Sequence, residues 1–424
     1  MSSIFIQIAS YRDPEIVPTL KNLLENKSGE NTLHICIHDQ YSEEDAFEKD
    51  LDTFILGCHQ DNLVDFTVVR TPHKESKGAC WARNTIQQEY LGEDYTLQLD
   101  SHHRFVPNWD KLCVEMVKDL QDKGYKKPLL TGYIPSYNPE NDPDGRTQEA
   151  WRMTFDRFIP EGAVFFLPEQ IQGWQDLTEP VPARFYSAHF CFTLGVFSKE
   201  VQHDPQYYFH GEEISIAARA YTHGYDLFHT HKIIAWHEYT RKGRTKHWDD
   251  VNDWGKMNSD CHLRNRRLFS MDGEKYNPSE FGEYGWGTVR SLRDYERYSG
   301  LLFSKRAIQK SVIEKLDPPV TEVYETEEAW LASFSQIFKH CIDINYADVK
   351  ETDYEFWVVA FEDKQGNTIH RKDADAEEIK RILNDPDGYG KVWREFPTTV
   401  TPVKWVVWPY STSKTWCDKI EGNL

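Results

Sequence analysis

The chain has 424 residues, 39% of them hydrophobic and 14% aromatic, and carries a formal net charge of −20 with a pI near 5.3. That is length for two or three domains, with ample apolar material for a core. The acidic balance argues against non-specific binding to nucleic acid or to an anionic membrane surface. No apolar run approaches the roughly 20 residues of a membrane span. Met1-Ser2-Ser3 leads straight into a short alternating strand, not into the charged start and long apolar run of a leader. The eight cysteines are dispersed, with no C-x-x-C pair. Dispersed thiols of this kind read as reduced and mostly buried, so the expected address is the cytosol.

Ile4, Ile6 and Ile8 alternate with Phe5 and Gln7, which predicts a first strand over 4–9 with Ser10-Tyr11-Arg12 at its carboxyl end. Asp13 followed by Pro14 reads as a helix start, an N-cap acceptor and then a proline at the first helical position. Strands are predicted over 33–38, ending in His38-Asp39-Gln40, and over 63–69; a helix follows over 78–90. Tyr95, Leu97 and Leu99 then alternate with Thr96 and Gln98 in a strand that runs into Asp100-Ser101-His102. Further on, a helix over 108–123, strands over 128–134 and 188–196, and a helix headed by Glu212 and Glu213 are predicted. A strand over 227–236 delivers His237-Glu238-Tyr239. After Asp317-Pro318-Pro319 the composition shifts. The last hundred or so residues carry their own strands, 356–361 and 405–408, and a helix near 377–383.

Strands and helices alternating at this spacing predict a parallel, three-layer α/β sheet, followed by a small α+β module. The expected division is 1–305 as the catalytic domain, 306–319 as a linker and 320–424 as the module. Open α/β sheets bind ligands at the carboxyl ends of their strands, and Ser10-Tyr11-Arg12, Asp39 and Asp100-Ser101-His102 all lie there. No glycine-rich dinucleotide fingerprint follows the first strand and no Walker-type loop is present. A nucleotide held through a metal fits better than one held by a phosphate loop.

Asp-x-His alone is a weak signal, because chance pairs are common and a solvated loop would explain one. Its place at a strand end raises it. Asp100 and His102 leave a divalent ion mostly unfilled, so a third ligand is expected. His237 leads, since it also ends an apolar strand. His229 and His231 compete, but strand histidines inside a core are usually just hydrogen-bonded. A carboxylate and imidazole set with open positions suits Mn2+, with Mg2+ as the alternative. Glu212 and Glu213 are balanced between two readings: acids pairing with a helix dipole, worth under about 1 kcal/mol each, or acids facing the reacting groups. Arg83 is either surface charge or a sugar contact. The basic, aromatic loop over 241–254 is either solvated or a flap on a diphosphate, with Arg241 nearest His237. Gly285 and Gly287 are lid hinges or plain turn residues.

Several motifs occur in order: Ile8-Ala9-Ser10-Tyr11-Arg12-Asp13-Pro14, Ala82-Arg83-Asn84, Leu97-Gln98-Leu99-Asp100-Ser101-His102-His103-Arg104-Phe105 and Trp109-Asp110. They continue with Phe209-His210-Gly211-Glu212-Glu213, Thr222-His223-Gly224-Tyr225-Asp226, His237-Glu238-Tyr239 and Tyr284-Gly285-Trp286-Gly287-Thr288. Together they resemble the cytoplasmic hydroxyproline-polypeptide N-acetylglucosaminyltransferases over residues 1 to 305. More distantly, they resemble the mucin-type polypeptide N-acetylgalactosaminyltransferases. The resemblance implies a GT-A (Rossmann-like) nucleotide-sugar fold, a UDP-GlcNAc donor, a divalent cation at a DXD-like motif and retention of anomeric configuration. It implies Asp100, His102 and His237 as metal ligands and Glu212 or Glu213 in the catalytic site. It also implies uridine contacts near Ser10, Tyr11, Arg12 and Asp39. Donor contacts are further expected at Arg83, Asp100, Arg241 and Trp286. The implied acceptor is a polypeptide hydroxyl, on hydroxyproline, serine or threonine. His103 departs from the family pattern, and residues past 305 are not covered, which leaves other acceptors open: a glycan, a lipid or a modified nucleic acid. The readings from another class are a nucleotide-sugar hydrolase and a non-catalytic binding module.

Overall fold

Alternating isoleucines in a strand buried on both faces make the middle of a sheet, and this is where β1 (Ser2–Tyr11) lies: Ile4, Phe5, Ile6 and Ile8 are all fully buried. The computed structural model describes residues 1–58, 60–384 and 389–424. They fall into two units, Met1–Ser304 with Ser311–Val323, and Lys305–Lys310 with Tyr324–Leu424. The stretch 306–319 is therefore divided between the two.

In the first unit β1 is followed by α1 (Ile16–Glu25), β2 (Asn31–Tyr41), α2 (Asp50–Gly57), β3 (Val64–Pro72), α3 (Ala79–Gln87) and β4 (Tyr95–Asp100). Next come β5 (His103–Phe105), α4 (Trp109–Asp122), β6 (Pro128–Thr131), the hairpin β7 (Trp151–Phe158) and β8 (Val164–Gln170), β9 (Val181–Pro182) and β10 (Phe190–Leu194). Then follow α5 (Phe197–Glu200), α6 (Glu212–Thr222), β11 (Asp226–His229), β12 (Ala235–His237), α7 (His247–Asp250) and α8 (Trp254–Leu268). Eight strands form the main sheet in the order β3-β2-β1-β4-β10-β6-β11-β9. Strands β1 to β4 pair in parallel, and the register sets Ser10 beside Asp39 and Ala9 beside Asp100. The strand ends that the sequence singles out are therefore neighbours in space. A sheet flanked by helices is the α/β arrangement that the sequence predicts.

Three features differ from the expectation. The sheet is mixed, because β10 runs antiparallel between β4 and β6. Periodicity reports which faces are buried, not which way a strand points. The run over 227–236 is two strands: β11 joins the main sheet, while β12 pairs with β5 outside it. Helix α1 starts at Ile16 with Glu15 as its N-cap residue, and Asp13 accepts the Glu15 amide just ahead of it.

The second unit is strand-rich. Gln336–Asn345 pairs antiparallel with Tyr389–Thr398, and Tyr354–Glu362 lies between Thr368–Arg371 and Lys404–Ser411. Helix Ala376–Leu383 buries Ile379 and Ile382 against a core that includes Trp357, Phe361, Phe396 and Val407.

Candidate active site

Asp100 ends β4, and the chain turns at Ser101-His102 into β5. The β5–β12 ladder aligns His103 with His237, so two three-residue strands carry His237 back to the end of β4. His237 Nε2 lies 3.3 Å from Asp100 Oδ2, and His102 Nε2 lies 3.7 Å from the same oxygen. One ligand atom from each of Asp100, His102 and His237 falls within 4.8 Å of the others, a set able to hold a metal ion. His102 Nε2 is buried without a hydrogen-bond partner. Its other nitrogen, Nδ1, lies 2.8 Å from Asp13 Oδ2. A carboxylate behind a histidine, with the far nitrogen left free, is the arrangement that fixes a metal-ligating imidazole.

Asp13 serves several groups at once. Oδ1 accepts the Glu15 amide at 2.9 Å, and Oδ2 accepts the Ser101 hydroxyl at 2.6 Å. Arg244 Nη1 approaches Oδ2 to 3.3 Å. Burial alone would raise the Asp13 pKa. Interactions with His102 and Arg244 and the hydrogen bonds from His102 and Ser101 outweigh it and hold the carboxyl well below its usual range. Asp100 follows the same logic: burial pushes up, and His237, Arg83 and His102 together pull it well below the usual carboxylate range. Burial pushes the pKa of His237 well down, leaving it a neutral donor of a lone pair.

Arg83 projects from α3 between two acids. Nη2 donates to Asp100 Oδ1 at 2.8 Å and Nη1 to Glu212 Oε1 at 2.9 Å. That turns Asp100 Oδ2 toward the histidines. Glu213 points elsewhere: it accepts the Ala188 amide at 3.0 Å and the Tyr133 hydroxyl at 3.3 Å. Burial pushes its pKa up to about 7, with the neighbouring Glu212 charge adding to the rise and the Ala188 amide opposing it.

Two cavities meet at Asp100. The smaller, 190 Å³, is bordered by Tyr11, Gly78, Arg83, Arg244, His247 and Trp248. The larger, 610 Å³, is walled by Tyr133, Trp151, Phe165, Phe166 and Glu213. Both touch Arg83, Asp100, Phe209, His237, Tyr239 and Arg241. Gly78, at φ +102°, opens α3 on the small cavity. A Cβ there would sit 2.9 Å from the Tyr208 ring, so the close approach of this helix end needs glycine.

The structure gathers Tyr11, Arg83, Asp100, His102, His237, Arg241, Glu212 and Glu213 around this junction. Arg241 lies with its guanidinium 5.3 Å from the Trp248 ring centre. Ser10 is buried beneath, its carbonyl accepting from Gln40. Arg12 and Asp39 border neither cavity. Arg12 is held by Asp45 at 2.7 Å and by Asp250 at 2.9 Å. Asp39, its pKa pushed up to about 6 by burial, lies 3.3 Å from Arg70. Trp286 also stands apart, packed on Phe269 and Tyr276. A Cβ on neighbouring Gly287 would come within 2.5 Å of the Thr222 backbone, so this glycine serves close packing against the end of α6. His229 is a satisfied core residue between the Thr131 carbonyl and the Met153 amide. His103 bonds the Asp100 carbonyl through Nδ1 at 3.0 Å and is not among the three grouped ligands.

Sequence reasoning missed Asp13, Arg244, Tyr133 and His189 as members of the site. The helix-start reading absorbed Asp13. Arg244 belongs to a loop flagged only as a whole. Tyr133 and His189, whose ring stacks 4.3 Å from that of His237, carry no sequence signal beyond an apolar, aromatic context.

A carboxylate and imidazole cluster thus lies between two cavities at the strand ends. The profile described as Glycosyltransferase (GlcNAc) matches residues 3–59 and 58–305. The chain belongs to that family. No curated protein matches the chain. Among solved structures, GalNAc-T7 with UDP, GalNAc and Mn2+ is similar at a TM-score of 0.47 and 11% identity, over 99% of this chain and 68% of that one. TarS of S. aureus with UDP-GlcNAc gives a TM-score of 0.37 and 13% identity, over 60% and 64% of the two chains. The mannosyltransferase PcManGT of Pyrobaculum calidifontis with GDP-Man and Mn2+ gives 0.37 and 11%, over 57% and 58%. These likenesses are distant. Among the described residues no helix is long and apolar enough to cross a membrane.

Proposed function

We propose that this chain moves N-acetylglucosamine from UDP-GlcNAc to a polypeptide hydroxyl, with retention of configuration, and that Asp100, His102 and His237 hold the divalent cation the reaction uses. The observation that carries the proposal is the position of this cluster at the junction of the two cavities. The donor belongs in the 190 Å³ cavity, beside Tyr11, Arg241 and Arg244. The acceptor belongs in the 610 Å³ cavity, beside Trp151, Phe165 and Glu213. Arg12, Asp39 and Trp286 act in this reading through packing around the site. The family profile, the free buried nitrogen of His102 and the Asp13 carboxylate behind it support the cation.

A divalent cation at this place, Mn2+ or Mg2+, supplies positive charge beside a leaving diphosphate. The chain's own groups do the rest. Arg83 fixes Asp100 by one oxygen and leaves the other to face the histidines. Asp13 sets the His102 ring. Arg241 and Arg244 add fixed positive charge where the departing diphosphate becomes more negative. In the reaction the bond from the anomeric carbon to the diphosphate oxygen breaks and a bond to the acceptor oxygen forms. The acceptor's proton passes to the departing phosphate. Glu213, titrating near neutrality, hydrogen-bonds the acceptor side and orients it. The address we propose is the cytosol, in keeping with eight free cysteines, five of them buried.

A donor screen tests this reading: UDP-sugars with Mn2+ or with EDTA, reading UDP release and acceptor mass. UDP-GlcNAc should give metal-dependent acceptor modification. UDP release that needs no acceptor would favour a hydrolase, and no release with any donor would favour a binding role.

A further inference from the structure

Behind Arg83, away from Asp100, lies a second group of metal-binding side chains that the proposed transfer does not use. Cys80 of α3, His203 after α5 and Glu212 at the head of α6 are 0%, 1% and 6% exposed. One ligand atom from each falls within 4.8 Å of the others. The Cys80 thiol donates to Glu212 Oε2. His203 Nδ1 lies 3.8 Å from that same oxygen and has no hydrogen-bond partner.

The tautomer of His203 is fixed by its surroundings. Gln98 Nε2 donates to the Ala188 carbonyl at 2.6 Å, which leaves Gln98 Oε1 to face His203 Nε2 at 2.7 Å. An amide oxygen only accepts, so Nε2 carries the proton and Nδ1 presents a bare lone pair. His203 Nδ1 is thus a buried acceptor without a donor, which is costly unless something positive meets its lone pair. The backbone keeps it there: the His203 amide donates to Gln87 Oε1 at 2.8 Å and its carbonyl accepts from Asn84 at 2.8 Å.

Glu212, paired with Arg83, supplies one negative charge to a dication here, and the Cys80 thiol supplies a second as it gives up its proton. Tetrahedral binding at about 2.0–2.3 Å sets ligand atoms roughly 3.5 Å apart; His203 Nδ1 and Glu212 Oε2 are 3.8 Å apart, while Cys80 and Glu212, now in hydrogen-bond contact, would move apart on binding. A set of one sulfur, one nitrogen and one oxygen suits a borderline-soft ion and not Mg2+ or Ca2+. Glu212 borders the 610 Å³ cavity, and Gly78 and Ala79, next to Cys80, border the 190 Å³ cavity.

We propose that Cys80, His203 and Glu212 form a second cation site, distinct from Asp100, His102 and His237, that takes a zinc-like divalent ion. On binding, the sulfur–hydrogen bond breaks, a sulfur–metal bond forms and the proton leaves to solvent; no electron is transferred. The ion ties α3 to α6 and so fixes Arg83 from behind. The proposal stands whether or not the donor is UDP-GlcNAc.

The test is a titration of the full, EDTA-stripped chain with Co2+ alone. A thiolate-to-cobalt charge-transfer band should appear in the near ultraviolet, persist in Asp100→Ala, bleach with Zn2+ and be lost in Cys80→Ser. Absence of the band in the wild type, or its full retention in Cys80→Ser, would overturn the proposal. Should Cys80→Ser not fold by circular dichroism, His203→Gln takes its place. That variant should keep the band with Co2+ affinity at least about tenfold weaker, and unchanged affinity would overturn the proposal equally.

Discussion

Asp13 Oδ2 lies 2.8 Å from His102 Nδ1, which joins the turn after β1 to the turn after β4 through one carboxylate. If Asp13 orients a ligand, Asp13→Asn should weaken Mn2+ binding by about 10- to 100-fold, the usual cost of losing such a partner. Excess metal should restore much of the activity. Calorimetric Mn2+ titration checks this. An affinity equal to wild type would mean that Asp13 serves only the turn.

Arg83 stands between Asp100 and Glu212 with 5% exposure. Its removal leaves Glu212 buried without its cation, and breaking such a pair costs about 3–5 kcal/mol. Arg83→Ala should lose about that much in urea denaturation. Arg83→Lys should recover only part of it, because one ammonium cannot reach both acids with the geometry of a guanidinium.

Glu213 makes stability depend on pH. Its carboxyl has an ordinary pKa of 4.5 and is pushed up to about 7 in the fold, chiefly by burial. The folded state therefore holds this proton more tightly than the unfolded state. Its contribution is fully present below about pH 4.5 and is lost as pH rises through about 7, a change on the order of 3 kcal/mol. Glu213→Gln, which cannot ionise, should lack that slope. Urea melts at about pH 5 and about pH 8 compare the two proteins, and parallel profiles would show that Glu213 is not the group responsible.

Trp151 belongs to the larger cavity's wall and not to the smaller one's. Trp151→Ala should raise KM for the acceptor by about tenfold, as losing one aromatic anchor does, with KM for UDP-GlcNAc unchanged. Initial rates against each substrate decide it. A rise in the donor KM alone would reverse the assignment of the two cavities.

Much of this was legible in the sequence, for physical reasons. Strands such as β1 and β4 alternate over enough residues to declare themselves. Asp100, His102 and His237 stand out because each lies just past an apolar run and carries a side chain of a metal-binding type. What stayed hidden was set by tertiary partners. Strands β5 and β12 are three residues long, too short for a period, yet their pairing is what brings His237 to Asp100. The β7–β8 hairpin lines the larger cavity with no regular pattern. The direction of β10 leaves no trace in hydrophobicity. Asp13 carried a sufficient local explanation as a helix start, which masked its longer reach to His102. Glu212 and Glu213, inseparable as neighbours at a helix head, part only when α6 turns one toward Arg83 and the other toward Tyr133.

The most direct measurement is transfer from UDP-GlcNAc by wild type and Asp100→Ala, each with Mn2+ and with EDTA, beside a thermal melt of both proteins. Wild type should transfer only with metal. Asp100→Ala should lose activity by at least about 10²- to 10³-fold, the scale of removing one preorganised charge-stabilising group, while still melting cooperatively. Transfer by Asp100→Ala at the wild-type rate in Mn2+, or wild-type transfer undiminished by EDTA, would contradict the assignment of Asp100, His102 and His237 as the cation site.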